Sequence, residues 1–447
     1  MRNLKFNTPL IAATIFLLSS QSLFASAFQL DEEQKRATFG ADFRYRIISE
    51  HDRKLSSDDA NGERLWQRFR LRAWTSLQLT KATEFNLRIA AEPRYYDYPD
   101  VPADDGWVRD EFLFDDLNIA LRDPLDIPVT AIIGRQQIHL ADNWLVGEGT
   151  PLDGTRTAYF DALRTTWDIV DWRTSIDVMY IDNRKDSSAY LSPINDYNFD
   201  MSEQDERGGI IWASHEVLEC RFIDTYFIYK KDHNPSYKDD GTKIGVDGEI
   251  YTVGLRGHGN ATDALSFNAE IAPQFGHKNG TSLSAFAVNA WAQQLVSSEK
   301  KGSIRLGYEF LSGDSNIDRH YDKLWGREGI WSDLYTGGID GFDGRELDSS
   351  NLHRPHIIGA VNLLKSVRAK GEYSLLFADK EVDLPDASKV DNGSMFRGHH
   401  VKASVEHKFN KHLKHYVTLQ AMLPGNYYSD SRQETATWFR YGVELKF

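Results

Sequence analysis

Residues Glu63–Leu79 read ERLWQRFRLRAWTSLQL. Within this stretch Arg68, Arg70 and Arg72 alternate with Phe69, Leu71 and Ala73. A period of two belongs to a β-strand, whose successive side chains point to opposite faces. Three guanidiniums therefore share one face and the apolar groups share the other. In a soluble sheet the apolar face meets a core and the arginines meet water. In a transmembrane barrel the apolar face meets lipid and the arginines line a wet lumen.

The rest of the chain favours the barrel. Period-two segments bounded by polar loops recur from Ala37 onward. They predict strands near 38–49, 64–80, 84–97, 110–122, 127–139, 156–170, 173–185, 208–217 and 219–231. Further strands are expected near 249–260, 264–275, 281–298, 300–313, 352–366, 368–380, 398–410, 412–424 and 435–447, about 18 in all. The connections alternate in length. Short ones include Lys81–Thr83, Asp171-Trp172, Asn260–Asp263, Glu299-Lys300 and Asn410-Lys411. Long ones include 50–63, 98–109, 140–155, 186–207, 232–248, 314–351 and 381–397. Short periplasmic turns and long outer loops are the asymmetry of an outer-membrane barrel. The final segment, TWFRYGVELKF (437–447), places Phe439, Tyr441, Val443, Leu445 and Phe447 on one apolar face. Such an aromatic-ended strand is expected to engage the barrel-assembly machinery.

The bulk properties agree. The 447 residues are 26% charged, with a mean hydropathy of -0.51, which excludes a helical membrane protein. They nevertheless carry 24 Phe, 20 Tyr and 11 Trp, as an apolar outer wall with aromatic girdles requires. The N-terminus combines Arg2 and Lys5, the apolar run Leu10–Leu18, and Ala25-Ser26-Ala27. These three parts predict a signal peptide over 1–27, leaving 28–447 as the barrel. Its removal takes away two positive charges and no acid, which moves the net charge from -14 to -16. Nucleic acid is not an expected partner of such an acidic exported chain; lipid and lipopolysaccharide of the bacterial outer membrane are. The single cysteine, Cys220, allows neither an internal disulfide nor a Cys-based metal site.

The same parity assigns further arginines to the lumen. Arg44, Arg46, Arg88, Arg135, Arg164, Arg256, Arg305 and Arg440 each lie opposite an apolar run and join Arg68, Arg70 and Arg72. Loop acids such as Asp52, Asp58, Asp59, Asp100, Asp104, Asp105, Asp239, Asp240, Asp314 and Asp318 carry much of the negative charge. Glu92, Glu270, Glu309, Glu406 and Glu444 share the inward side and are expected to pair with arginines across strands. As a set, the arginines point to an anion path, because a row of planar forks offers carboxylates successive weak sites. The bland reading of each arginine alone is a partner for a lumen carboxylate.

Several segments, in this order, resemble the alginate export family. They are WQRFRLRAW (Trp66–Trp74), Asp110-Glu111-Phe112, IGRQ (Ile133–Gln136) and Tyr159-Phe160-Asp161-Ala162. LSGD (Leu311–Asp314), WSDLY (Trp331–Tyr335) and Ser350-Asn351-Leu352-His353-Arg354 continue the series. The resemblance runs from about Phe39 to Phe447. It implies an eighteen-stranded barrel with an electropositive lumen that passes an acidic exopolysaccharide such as polymannuronate. It matches Arg68, Arg70, Arg72 and Arg135 to the family's arginine-rich strands. The family's long gating loop has only the short turn Phe409–His412 as its counterpart here, so an outer loop is expected to fold inward instead.

The expected function is a passive outer-membrane channel for export of an anionic polysaccharide such as alginate. The alternative is a general anion-selective porin, or an uptake channel for small anions or oligouronates. An enzyme is not expected: the chain holds neither HExxH nor GxSxG. His353–His356 and His399-His400 read as strand-end histidines rather than metal ligands. Asp314, Asp318 and Asp322 would bind Ca²⁺ only if their loop converged; otherwise no cofactor is expected.

Overall fold

The computed structural model describes residues 37–447, apart from 57–61, 99–105, 110, 149–158, 196, 238, 240, 242, 327–330, 336–338, 340–349 and 383–393. The expected signal peptide, Asp58, Asp59, Asp100, Asp104, Asp105, Asp110 and Asp240 lie outside the described residues.

Eighteen strands close into one antiparallel barrel. They are β1 Ala37–His51, β2 Arg64–Gln78, β3 Thr83–Ala91, β4 Phe112–Arg122, β5 Thr130–Gln136 and β6 Phe160–Ile169. Next come β7 Thr174–Asn183, β8 Asp205–Leu218, β9 Arg221–His233, β10 Gly248–Asn260, β11 Leu265–Lys278 and β12 Thr281–Ser297. The last are β13 Gly302–Leu311, β14 Leu352–Leu364, β15 Val367–Phe377, β16 Phe396–Lys408, β17 Leu413–Pro424 and β18 Ala436–Lys446. A segment Arg94–Tyr98 extends β3 along β2. Each strand pairs with its neighbours in sequence, and β18 pairs with β1 through Arg44↔Glu444 and Ile47↔Tyr441. That last pairing leaves no sheet edge, as a backbone surrounded by lipid demands.

Alternation assigns the two faces. Leu71, Ile133, Ile211, Phe275 and Leu306 are more than half or close to half exposed on the outer wall. Their neighbours Arg70, Ile210, Gln274 and Gly276's partner Ile250 are buried toward the interior. Outer-wall aromatics pack across strands, as in Tyr229, Tyr251 and Phe275.

Long and short connections alternate with one exception. The outer turn between β11 and β12 has only Asn279 and Gly280. Both have positive φ, 50° and 77°, the geometry that makes Asn-Gly a two-residue hairpin. This low rim makes room for the long loop after β13: Asn279 Nδ2 donates to Asp318 Oδ1 at 2.6 Å.

Two outer loops turn inward, as the short 409–412 turn led one to expect. Segment 137–148 supplies Ile138, Leu140, Trp144, Leu145 and Val146 to a buried cluster against inward residues of β6–β13. Segment 312–326 adds Tyr321, Leu324 and Trp325 to the same cluster. The two segments meet inside the barrel, where Gly147 N donates to Trp325 O at 3.0 Å and Trp325 N to Leu145 O at 3.1 Å. Gly208 on β8 makes room for the indole, since a Cβ there would lie 2.3 Å from Trp325 Cη2. Further on, Trp331, Leu334, Tyr335 and Ile339 pack against the inward side of β1, β2 and β14–β18. The described parts of the long loop are therefore seated on both halves of the wall. Burying several aromatic side chains this way holds the loop down by the hydrophobic effect, at roughly 1.5–3 kcal/mol for each large side chain.

Candidate functional site: the charged lumen

The arginines of Glu63–Leu79 face inward and meet those of β1. In the ladder Arg44 is directly opposite Arg70, Arg46 opposite Arg68, and Asp42 opposite Arg72. Like charges directly opposite destabilise a sheet, so the ladder needs carboxylates. Glu92, just past the end of β3, supplies one: it bonds Arg68 and lies 3.6 Å from Arg44 and 3.9 Å from Arg70. Asp42 supplies another, bonding Arg72 and lying 3.7 Å from Arg70. Arg46 donates through Nε to the Tyr416 hydroxyl at 2.7 Å. Five arginines thus gather around two carboxylates at mid-height of the wall, and Arg44, Arg46 and Arg68 are almost fully buried. Arg88 extends the row and bonds Asp115 at 2.7 Å.

The remaining predicted arginines are spread around the barrel. Arg164 bonds Asp177 at 2.8 Å. Arg256 is matched by Asp224 at 3.0 Å, Asp142 at 3.4 Å and Glu270 at 3.7 Å. Arg440 lies 3.7 Å from Asp333 of the long loop and stacks on Trp438. Arg305 stacks on Trp291, its Cζ 3.9 Å from the ring centroid, and takes part in no ion pair among the described residues. Arg135 stands apart. Its neighbour Ile133 is exposed on the outer wall, and Gly134 between them has φ 119°. That left-handed kink marks a break in simple alternation that glycine alone tolerates readily. The Arg135 guanidinium bonds Asp161 at 2.9 Å, donates to Phe114 O and stacks on Tyr159 at 3.6 Å. These contacts tie it to the strand wall.

The predicted lumen acids divide. Glu92, Glu270 and Glu309 face arginines, Glu309 bonding Arg354 at 2.9 Å. Glu406 and Glu444 instead bond Lys414, at 3.4 and 3.0 Å. Parity reasoning missed Arg354, Arg397, Lys230 and Lys402. Arg354 lies between Glu309 and Glu372 beneath the Trp331 ring. Arg397 is buried and bonds the Tyr335 hydroxyl at 2.7 Å. Lys402 donates to Trp331 O. In the run Leu352–His356 the outward positions are His353 and Pro355, so no apolar run flagged Arg354. Its place on the same face as Leu352, with Ile357 further along on the opposite face, is the available signal.

The candidate metal ligands go elsewhere. Asp318 bonds Asn279, while Asp322 pairs with Lys278 at 3.4 Å, so the three loop aspartates do not converge. His353 and His399 share hydrogen bonds with Tyr308 and Tyr373, and His400 with Ser332.

Solved structures share this architecture. OprD of Pseudomonas aeruginosa aligns with a TM-score of 0.56 at 10% identity, covering 92% of this chain and 95% of that one. OccK2 (OpdF) of the same organism, solved in complex with glucuronate, aligns at 0.56 and 13% identity, covering 92% and 98%. OccAB3 of Acinetobacter baumannii aligns at 0.58 and 10% identity, covering 93% and 100%. No curated protein matches the chain. These neighbours share the fold of the closed barrel. The family model described as Alginate export matches residues 35–438, nearly the whole length, so the chain belongs to that family and is a channel of the bacterial outer membrane.

Proposed function

We propose that the protein is a passive channel that exports an anionic polysaccharide such as alginate or polymannuronate. The observation that carries this reading is the contiguous ladder Arg44–Arg70 and Arg46–Arg68, whose ion pairs among the described residues are made by Asp42 and Glu92. Its surplus of cationic charge attracts carboxylates, and the planar fork of arginine binds them with defined geometry. Weak successive sites let a polyanion move without being trapped. No group outside the chain is required, and no catalysis is assigned to it. Its outer wall would contact lipid and lipopolysaccharide, and its last strand the assembly machinery.

A second reading is uptake of small uronates. It draws support from segments 137–148, 312–326 and 331–335, which occupy part of the lumen, and from the glucuronate in the OccK2 structure. A passive pore has no direction of its own, so both readings share the same wall.

The test is the reversal potential of the refolded protein in a planar bilayer under a salt gradient. The expected result is anion selectivity that falls when Arg68, Arg70 and Arg72 are all replaced by Ala. Cation selectivity in the wild type, or unchanged selectivity in the triple variant, would overturn the reading.

A further inference from the structure

Arg305 differs from the other lumen arginines in its partners. Its Nε donates to Gln293 Oε1 at 3.1 Å, and its guanidinium lies over Trp291. It forms no ion pair among the described residues, and it is not fully buried. The indole that it covers also donates through Nε1 to Asp142 Oδ2 at 3.0 Å. Asp142 comes from the inward segment 137–148, and 40% of its side chain remains exposed. Among the described residues its one ion-pair partner is Arg256, at 3.4 Å, which Asp224 and Glu270 already neutralise. One indole therefore carries an arginine that no described carboxylate ion-pairs and an aspartate with accepting capacity to spare. All of this lies beyond the middle of β12, toward the short-turn end, on the wall across the barrel from the β1–β2 ladder.

We propose that Arg305, Trp291 and Asp142 form a subsite for a single uronate residue of a passing chain. Arg305 takes the sugar carboxylate through its free Nη groups, and Asp142 accepts from a ring hydroxyl. Trp291 fixes the spacing of the two and offers an apolar edge to the C–H face of the ring. Sites of this kind combine an apolar surface with a few well-placed polar groups. A neutral sugar satisfies only Asp142, and a simple anion satisfies only Arg305. The subsite thus distinguishes a sugar acid from both, which the β1–β2 ladder, whose acids Asp42 and Glu92 are engaged by its arginines, does not. It rests on the reading that uronates traverse this lumen.

The experiment is single-channel block of the full-length refolded protein by a tetramer of mannuronate. Mannotetraose and acetate serve as comparison probes. The tetramer is expected to reside longer in the wild-type channel than either comparison probe. R305Q should shorten that residence about tenfold or more, since hydrogen bonds to charged groups are the strong ones. R305K, which keeps the charge but not the fork, should fall between the two, and D142N should shorten residence by a smaller factor. Heat-modifiable migration on gels confirms a folded barrel for each variant. Block of the wild type that R305Q, R305K and D142N all leave unchanged would overturn the subsite while leaving the channel reading standing. A wild type that the tetramer does not block overturns the subsite and the polysaccharide reading together.

Discussion

Replacing Glu92 by Gln tests how the arginine ladder is held. Glu92 is 1% exposed, bonds Arg68, and lies 3.6 Å from Arg44 and 3.9 Å from Arg70. Of the two carboxylates ion-paired with this group among the described residues, E92Q leaves Asp42, with Glu444 opposite Arg44 in the β1–β18 ladder. If the cluster is dry, removing one partner of a buried pair costs about 3–5 kcal/mol. If lumen water reaches it, the pairs behave like surface ones and the cost falls to about 0–1 kcal/mol. The assay is urea unfolding of the refolded protein in detergent micelles, with E92D as the charge-conserving comparison. The burial predicts a loss of at least about 3 kcal/mol in E92Q. The same variant removes one negative charge from the wall, so reversal potentials should shift toward stronger anion preference. A loss below about 1 kcal/mol would refute the claim that Glu92 neutralises a buried network. A large loss with no shift in selectivity would refute the claim that ions pass along this ladder.

The seats of the inward loops give two further predictions. Trp325 fills a pocket against Phe160 and donates to Glu206 at 3.0 Å; W325A should loosen the loop by about 3–5 kcal/mol and raise the open-channel conductance. Trp144 donates to Glu309 at 2.9 Å and stacks on Tyr321, so W144A should raise conductance as well. The double variant should gain less than the sum, because both residues belong to one cluster. Conductance unchanged in both single variants would show that these loops do not limit the ion path.

The strands were readable because the alternation that defines them is local. In the middle of β2, β8 and β18 the inward residues Arg70, Trp212 and Arg440 each have apolar chain neighbours, and the ends fall within a few residues of those expected. Parity failed where local rules break. Arg135 is two residues from the outward Ile133, so period two sets both on one side, and its pairing with Asp161 follows that register; around Arg354 the flanking residues are His353 and Pro355. The two-residue turn 279–280 was absorbed into a longer expected gap, although Asn-Gly is itself a turn signal. The seats of Trp144, Trp325 and Trp331 were not readable at all. Each is a contact between distant parts of the chain, and an aromatic residue in a loop gives no sign of which wall will cover it.

The same distinction governs the charges. A sequence shows that an arginine faces inward, but not whether a carboxylate already occupies it. By parity alone Arg256 and Arg305 are alike, each a single arginine on a neighbouring stretch of wall. In the folded barrel Arg256 is matched by Asp224, Asp142 and Glu270, while Arg305 has an indole and a glutamine. An arginine saturated by carboxylates has little left to offer a solute, because the solute must displace a partner that is already in place. One held by an aromatic face keeps its fork available, since stacking leaves the in-plane donors open. The paired arginines therefore set the field of the lumen, and an arginine held like Arg305 is where a particular solute can be recognised. An acidic protein can in this way carry a cationic conduit: most of its acids either lie in outer loops or hold lumen cations in position.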